Sequence, residues 1–406
     1  MAGVIACVSL SVALSVADAP VNVAMVSMQS SPLPADAGEQ SAHIAELSAA
    51  LARQGHRVMV YTRRDDPDQP ECVETPQGYN VIHVPAGPPR PLDDDELLAA
   101  MGPFAQYLAE HWATSGHDIA HAHFWTSGIA TELAAQRLRL PTVLRFHGLG
   151  TEEPRRRFEA KLARTATEVS ANCTAEAFKL IRMGRPREGT AMVPSGVDVN
   201  VCTPGGPLAP RSDAPRVLSV GELVPDNGFD TVIKALPYIP GAEFVIIGEA
   251  DAGQSDAEAC RLRDLAARLG VADRLRLHGA ATAAELPALL RSADVVACTP
   301  RHDSSGVVAL KAMACGVPVV ASAVGASPDI VVDDVTGYLV AHQDPRRFAG
   351  LMNMLLVNSF LRRSLGAAGR DRTVARYSWE RIASDTARLY QASISKGGHK
   401  PKAATG

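Results

Sequence analysis

Several residues in this chain have the type and setting for chemistry on an anionic ligand. A strand-like run, Asp294–Cys298, leads into Thr299-Pro-Arg-His-Asp303, and a helix opens near Gly306 before a second apolar run at Val317–Ala321. A loop feeding a helix start aims free backbone N–H groups and the positive end of the helix dipole at whatever lies above it. Phosphate is the usual occupant. Asp303 before the helix and Lys311 inside it add a carboxylate and an ammonium. Two other apolar runs end in histidine: Ile119–His123 closes on His121-Ala-His123, and Thr142–Phe146 delivers His147-Gly148. His121 and His123, two apart on a strand, share a face that suits metal ligation. No third ligand is evident, so hydrogen-bonding roles at the strand's carboxyl end are expected.

These groups need a frame, and alternating periodicities supply one. Val21–Val26 reads as a buried strand, Pro32 to Gly38 as a loop, and Glu39–Arg53 as a helix with Ile44, Leu47 and Leu51 on one face. Gly55 ends the helix and Arg57–Tyr61 is the next strand. Strand, glycine-containing loop, helix and strand make one unit of a doubly wound sheet. Asn80–Val84, Ile119–His123 and Thr142–Phe146 continue the strands. Asp93 to Glu96 opens a helix reaching about Ala113, and its acidic start suits a helix N-terminus rather than a metal site. Helices are predicted over Glu152–Thr165 and Thr174–Met183. The Pro- and Gly-bearing stretch Thr203–Pro215 is a linker. Alternation then restarts: Arg216–Val220, Glu243–Ile247, a helix from about Asp256 to Leu269, Arg274–Leu277, a helix over Ala283–Arg291, then the segment around Gly306. Helices from Arg346 and Trp379 close the chain. The implied units are an extension over 1–19, domains over 20–203 and 204–378, a helix over 379–395 that crosses back onto the first domain, and a frayed tail over 396–406.

The 406 residues are enough for two domains, and a net charge of −4 gives no support to a nucleic-acid partner. Seven cysteines without a C-x-x-C pair suit reduced thiols in a cytoplasm. The apolar stretch Met1–Ala19 lacks a preceding Lys or Arg and is too short to span a bilayer, so it reads as an extension rather than a signal.

The segment Gly306-x-x-x-Leu310-x-Ala312-Met-Ala-Cys-Gly316-x-Pro318-Val-Val-Ala321 resembles the signature of the retaining nucleotide-sugar glycosyltransferases, in the family-4 group that includes sucrose-phosphate-synthase-like and mycothiol-pathway enzymes. Pro194-Ser-Gly-Val-Asp198 resembles the group's exit loop from the first domain. The likeness covers about residues 20–390. It implies the GT-B arrangement, two doubly wound Rossmann-like domains facing across a cleft. It also implies transfer of a glycosyl group from a nucleotide-diphospho-sugar, UDP- or GDP-linked, to a small-molecule acceptor with retention. No metal cofactor is expected, and no Asp-x-Asp is assigned to metal binding. On this resemblance His147 contacts the donor sugar near the bond that breaks, and Asp303 occupies an acidic position of the signature. Gly38, Gly221, Gly306 and Val307 approach the donor diphosphate, while Glu39, His123 and Arg145 belong to the acceptor side or the cleft.

The chemical letters depart from the pattern. The relatives' Gly-Gly pair is Gly38-Glu39, and their acidic residue within the signature helix is Lys311. Their diphosphate-holding arginine and lysine, in Gly-Arg-Leu-x-x-x-Lys-Gly, are Glu222 and Asn227. Hydrogen bonds to charged groups contribute about 1.5–3 kcal/mol each, so losing both cations costs about 3–6 kcal/mol, on the order of 10² to 10⁴ in affinity or rate. The opposite swaps at Glu222 and Lys311 suggest an ion pair across the altered pocket. Three readings stay open: a working glycosyltransferase, a pseudo-glycosyltransferase of secondary metabolism, and an inactive binding subunit. For assembly, a homodimer and a partner glycosyltransferase are both open.

Overall fold

A computed structural model describes residues 19–33, 38–248, 257–302, 305–341 and 344–396. Asp303, most of the 1–19 extension and nearly all of the 396–406 tail lie outside them. The first half contains β1 (Asn22–Val26), α1 (Glu39–Arg53), β2 (Arg57–Arg63), β3 (Cys72–Glu74), β4 (Asn80–Val84), α2 (Asp94–Ser115), β5 (Ile119–His123), α3 (Trp125–Leu138), β6 (Thr142–Arg145), α4 (Arg155–Thr165), β7 (Glu168–Ala171), α5 (Thr174–Arg182) and β8 (Thr190–Met192). The second contains β9 (Arg216–Val220), α6 (Phe229–Ala235), β10 (Glu243–Ile247), α7 (Ala257–Arg268), β11 (Leu275–Gly279), α8 (Leu286–Arg291), β12 (Val295–Cys298), α9 (Val307–Ala314), β13 (Val319–Ser322), α10 (Ser327–Ile330), β14 (Gly337–Val340), α11 (Pro345–Val357), α12 (Ser359–Tyr377) and α13 (Trp379–Lys396).

Two sheets result. The first runs β3-β4-β2-β1-β5-β6-β7-β8, parallel except for β3 against β4. The second runs β11-β10-β9-β12-β13-β14 and is parallel throughout. Strands buried on both faces read as continuous apolar runs, and β1 and β10 do so. Strand order reverses between β1 and β5 and again between β9 and β12. Ligands of doubly wound sheets lie beyond the carboxyl ends of strands at these switch points. This is the GT-B architecture of two Rossmann-like units.

The acidic start of α2 is a helix cap. Asp93 accepts from Glu96 N and the Glu96 side chain bonds back to Asp93 N. Helix α13 packs on α1, where Arg53 meets Glu380 at 3.1 Å, and on β5, where His121 Nδ1 lies 2.7 Å from Tyr390 Oη. Helix α12 joins the halves. Its Arg370 donates to Val199 O (2.9 Å), Cys202 O (2.7 Å) and Ala314 O (2.9 Å), tying the interdomain crossover to α9. Asp329 accepts from Thr174 N (2.6 Å) and Thr174 Oγ1 (2.9 Å), a second clasp between the units.

Candidate active site at the interdomain cleft

The first-domain wall starts from α1. Glu39, His43 and Glu46 recur at i, i+4 and i+7, so they share one helical stripe, and all three line a cleft cavity of about 850 Å3. Across from them β5 and β6 end in His123 and Arg145. His147 follows with φ +57°, left-handed for a non-glycine residue, which turns its ring back toward β5. His123 Nδ1 lies 2.7 Å from His147 Nε2, and His123 Nε2 lies 2.9 Å from Met25 Sδ. His43 meets the His147 ring edge-on, with centroids 5.0 Å apart.

Burial lowers the pKa of His43, His123 and His147 well below the ordinary imidazole value, with the Arg145 charge acting in the same direction. His121 is pushed down to about 3 by the same two causes. The wall therefore presents neutral imidazoles beside one buried guanidinium. Arg145 is only 3% exposed and donates to Val193 O (2.6 Å), Asn172 Oδ1 (2.9 Å) and Ser195 Oγ (3.1 Å). It lines the cavity, but its two terminal nitrogens are committed to holding the exit loop.

One nitrogen from each of His43, His123 and His147 lies within 4.8 Å of the others. The third ligand missing from the His121–His123 spacing is thus supplied by folding, and His121 is not in the set. The donor type suits zinc. The electrostatics oppose it, because the Arg145 charge acts on all three rings and no carboxylate belongs to the group.

The second-domain wall is built from two loops at the β9–β12 switch point. Gly221, Glu222, Asp226, Asn227, Val307, Val308 and Lys311 line a cavity of about 460 Å3, which shares Glu39, Glu222, Ser305, Val307 and Lys311 with the larger one. Asn227 Nδ2 donates to Glu222 O at 2.8 Å, so this side chain braces its own loop. Thr299 Oγ1 donates to Gly228 O at 3.0 Å, and a Cβ on Gly228 would lie 1.9 Å from Thr299 O. With φ +65° there as well, only glycine allows the loops to meet. Arg301 Nε donates to Pro225 O (2.8 Å) and Arg301 Nη2 to Asp230 Oδ1 (2.7 Å), so this nearby cation is tethered to the β9–α6 loop and to a carboxylate that Lys234 also meets.

Gly306 (φ +74°) sits at the N-cap of α9 without a side-chain cap, and Val307 and Val308 begin the helix at the cavity. The expected Glu222–Lys311 ion pair is not formed. Among the described residues Lys311 makes no ion pair, and both side chains face the shared cavity separately. A carboxylate and an ammonium on a half-exposed wall gain little from pairing.

Gly38, Glu39, Arg145, His147, Glu222, Val307 and Lys311 line the larger cavity, and Gly221 and Asn227 the smaller. Gly306 lies behind the lining and His123 behind His147. His43, Glu46, Asn172 and Arg301 escaped the sequence reading. The α1 stripe was the available signal for the first two. Asn172 Nδ2 reaches Ser305 O across the cleft at 3.3 Å, a contact no local pattern foretells.

Residues 38–196 match the model of a glycosyl transferase 4-like domain, and residues 207–372 that of glycosyl transferases group 1. The chain is similar to D-inositol 3-phosphate glycosyltransferases. That of Xylanimonas cellulosilytica is 34% identical over 402 residues, covering 91% of this chain and 96% of the relative. That of Geodermatophilus obscurus is 34% identical over 408 residues, covering 92% and 90%. Among solved structures, sucrose-phosphate synthase from Thermosynechococcus elongatus aligns with TM-score 0.82 at 27% identity, over 93% of this chain and 100% of that one. HepE of Anabaena, in complex with UDP and glucose, shares the fold with TM-score 0.71 at 19% identity, over 92% and 100%. Two switch-point walls, a signature helix aimed at the cleft and relatives matched along nearly their whole length lead to one conclusion: this chain belongs to the group 1 glycosyl transferases and is a glycosyltransferase of GT-B fold.

Proposed function

We propose that the protein transfers a glycosyl group from a UDP- or GDP-linked sugar to a small-molecule acceptor, with retention and without a metal. The observation that carries this reading is the meeting of Glu222, Asn227, Val307 and Lys311 in one cavity that opens onto His147. In it the diphosphate lies over the amides that start α9, and Lys311 supplies the positive charge that metal-free phosphate binding needs. The sugar spans the cleft to the neutral His147, and Asp303 is assigned to it from its place in the signature alone. The acceptor lies along Glu39, His43 and Glu46. Retention follows the same-face course, with acceptor and leaving diphosphate on one side of the sugar. The described cysteines are all free thiols, which supports a reducing cytoplasm. No described helix is long and apolar enough to cross a membrane.

Glu222 and Asp226 set carboxylates beside the diphosphate position, so weak donor affinity belongs to the proposal. The same observation favours a second reading, a binding subunit that has ceased to use a donor. Calorimetry with UDP, GDP and dTDP separates the two. Heat with UDP or GDP, lost in Lys311→Ala, supports transfer. No heat with any of the three assigns the binding role.

A further inference from the structure

We infer that His123 is a positioning residue that fixes the tautomer of His147, leaving His147 Nδ1 as a bare hydrogen-bond acceptor toward the cleft. The inference rests on the reading that His147 meets the sugar. It is carried by a relay of three side chains: Met25, His123 and His147.

A thioether has lone pairs and no proton. His123 Nε2 stands 2.9 Å from Met25 Sδ, a separation at which two lone pairs repel, so the proton of that contact sits on Nε2. His123 is fully buried, with the Arg145 guanidinium and three other histidines acting on it, and so stays neutral with a single ring proton. Its Nδ1 is therefore bare. That atom lies 2.7 Å from His147 Nε2, and a bond of this length holds one proton. The proton comes from His147 Nε2, which donates. His147 is neutral for the same reasons, so its Nδ1 carries a lone pair.

The direction of that lone pair follows from its surroundings. His147 Nδ1 has no partner among the described residues and is not one of the buried polar atoms left without one, whereas His43 Nε2 and His121 Nε2 are. His147 lines the cleft cavity, so Nδ1 is the ring nitrogen that reaches it. A bare nitrogen accepts from a hydroxyl and repels a phosphate oxygen. The relay thus assigns His147 to a sugar or acceptor O–H and removes it as a replacement for the cations missing at Glu222 and Asn227. His121 takes no part, since its Nδ1 is occupied by Tyr390 Oη.

The test is long-range 1H–15N correlation on the full chain labelled with 15N-histidine at pH 7, with the His147 signals assigned by their loss in His147→Gln. The expected spectrum shows His147 protonated at Nε2 and bare at Nδ1. His123→Asn, whose amide oxygen falls near the original Nδ1, keeps that pattern, and His123→Leu turns it into a mixture of tautomers. A wild-type His147 bare at Nε2, or doubly protonated, overturns the inference, as does an unchanged pattern in His123→Leu. If His123→Leu does not fold, the wild-type and His123→Asn spectra decide. The spectrum needs no substrate. Silent nucleotide calorimetry with the expected tautomer therefore removes the transfer reading alone, and the wrong tautomer with nucleotide binding intact removes this inference alone.

Discussion

The two walls of the cleft are held in different ways. On the first-domain side His43, His123 and Arg145 are buried, Arg145 makes three hydrogen bonds, and His123 is bonded at both ring nitrogens. On the second-domain side Glu222 and Asp226 are exposed and Lys311 is half-buried without an ion pair among the described residues. A buried, bonded group cannot change without leaving a partner unsatisfied. An exposed side chain lining a pocket changes at little cost to stability. This contrast accounts for where the chain departs from the glycosyltransferase pattern: the apolar scaffold stays, while the changed letters, Glu39, Glu222, Asn227 and Lys311, all stand at exposed or half-buried cleft positions.

The comparison can be broken most directly on the second wall. Restoring both cations with Glu222→Arg and Asn227→Lys should raise nucleoside-diphosphate affinity by about 3–6 kcal/mol, on the order of 10² to 10⁴, by calorimetry, with the melting temperature nearly unchanged. No gain would mean that positions 222 and 227 do not face the diphosphate. On the first wall the balance reverses. Arg145→Ala removes the guanidinium bonds to Val193 O, Asn172 Oδ1 and Ser195 Oγ, leaves Val193 O without its side-chain donor while Asn172 Oδ1 keeps Ser195 N and Oγ, and should cost about 3 kcal/mol of stability by denaturant unfolding. A loss below about 1 kcal/mol would show that the exit loop does not depend on it.

Acid sharpens the same contrast. His121 has a folded pKa of about 3 against an ordinary 6.5, lowered first by burial and then by Arg145. The folded state refuses a proton that the unfolded chain accepts. Its contribution is therefore complete above about pH 6.5 and declines as pH falls toward 3. At pH 5 the loss from His121 alone is about 2 kcal/mol. Hydrogen exchange corrected for intrinsic rates should show β5 and β6 losing protection between pH 7.5 and pH 5 while β9 and β12 keep theirs, since the buried histidines among the described residues all belong to the first domain. Equal loss on both sides would remove the distinction. The smallest effect is expected for Lys311→Gln, which should weaken nucleoside-diphosphate binding about tenfold, or 1.4 kcal/mol, without lowering the melting temperature.

Local pattern carried much of the frame. The bounds of α1, β4, β5, β9 and β10 coincide with the runs Glu39–Arg53, Asn80–Val84, Ile119–His123, Arg216–Val220 and Glu243–Ile247. Among the elements that went unread, two show the physical reason. Helix α12 contains Gly366 and Gly369, which look like breakers. Yet a Cβ at Gly366 would lie 2.0 Å from Gly316 O, so this glycine serves a close approach between helix and loop. Strand β7 begins at Glu168, a poor strand residue by type. It is buried because Arg185 (3.9 Å) and Lys396 supply opposite charge from distant segments.

The amino-acid order alone determined the two alternating α/β halves, the strand ends that face the cleft and the identity of most groups there, because period, breakers and short motifs are properties of neighbouring residues. It left three matters to the tertiary structure: that His43 from a helix joins His123 and His147 from two strand ends, that Arg145 is spent on the exit loop, and that Glu222 and Lys311 share a cavity without pairing. Each depends on which distant atoms come within hydrogen-bond reach and how much water remains between them. Neither quantity exists until the two sheets have closed on one another.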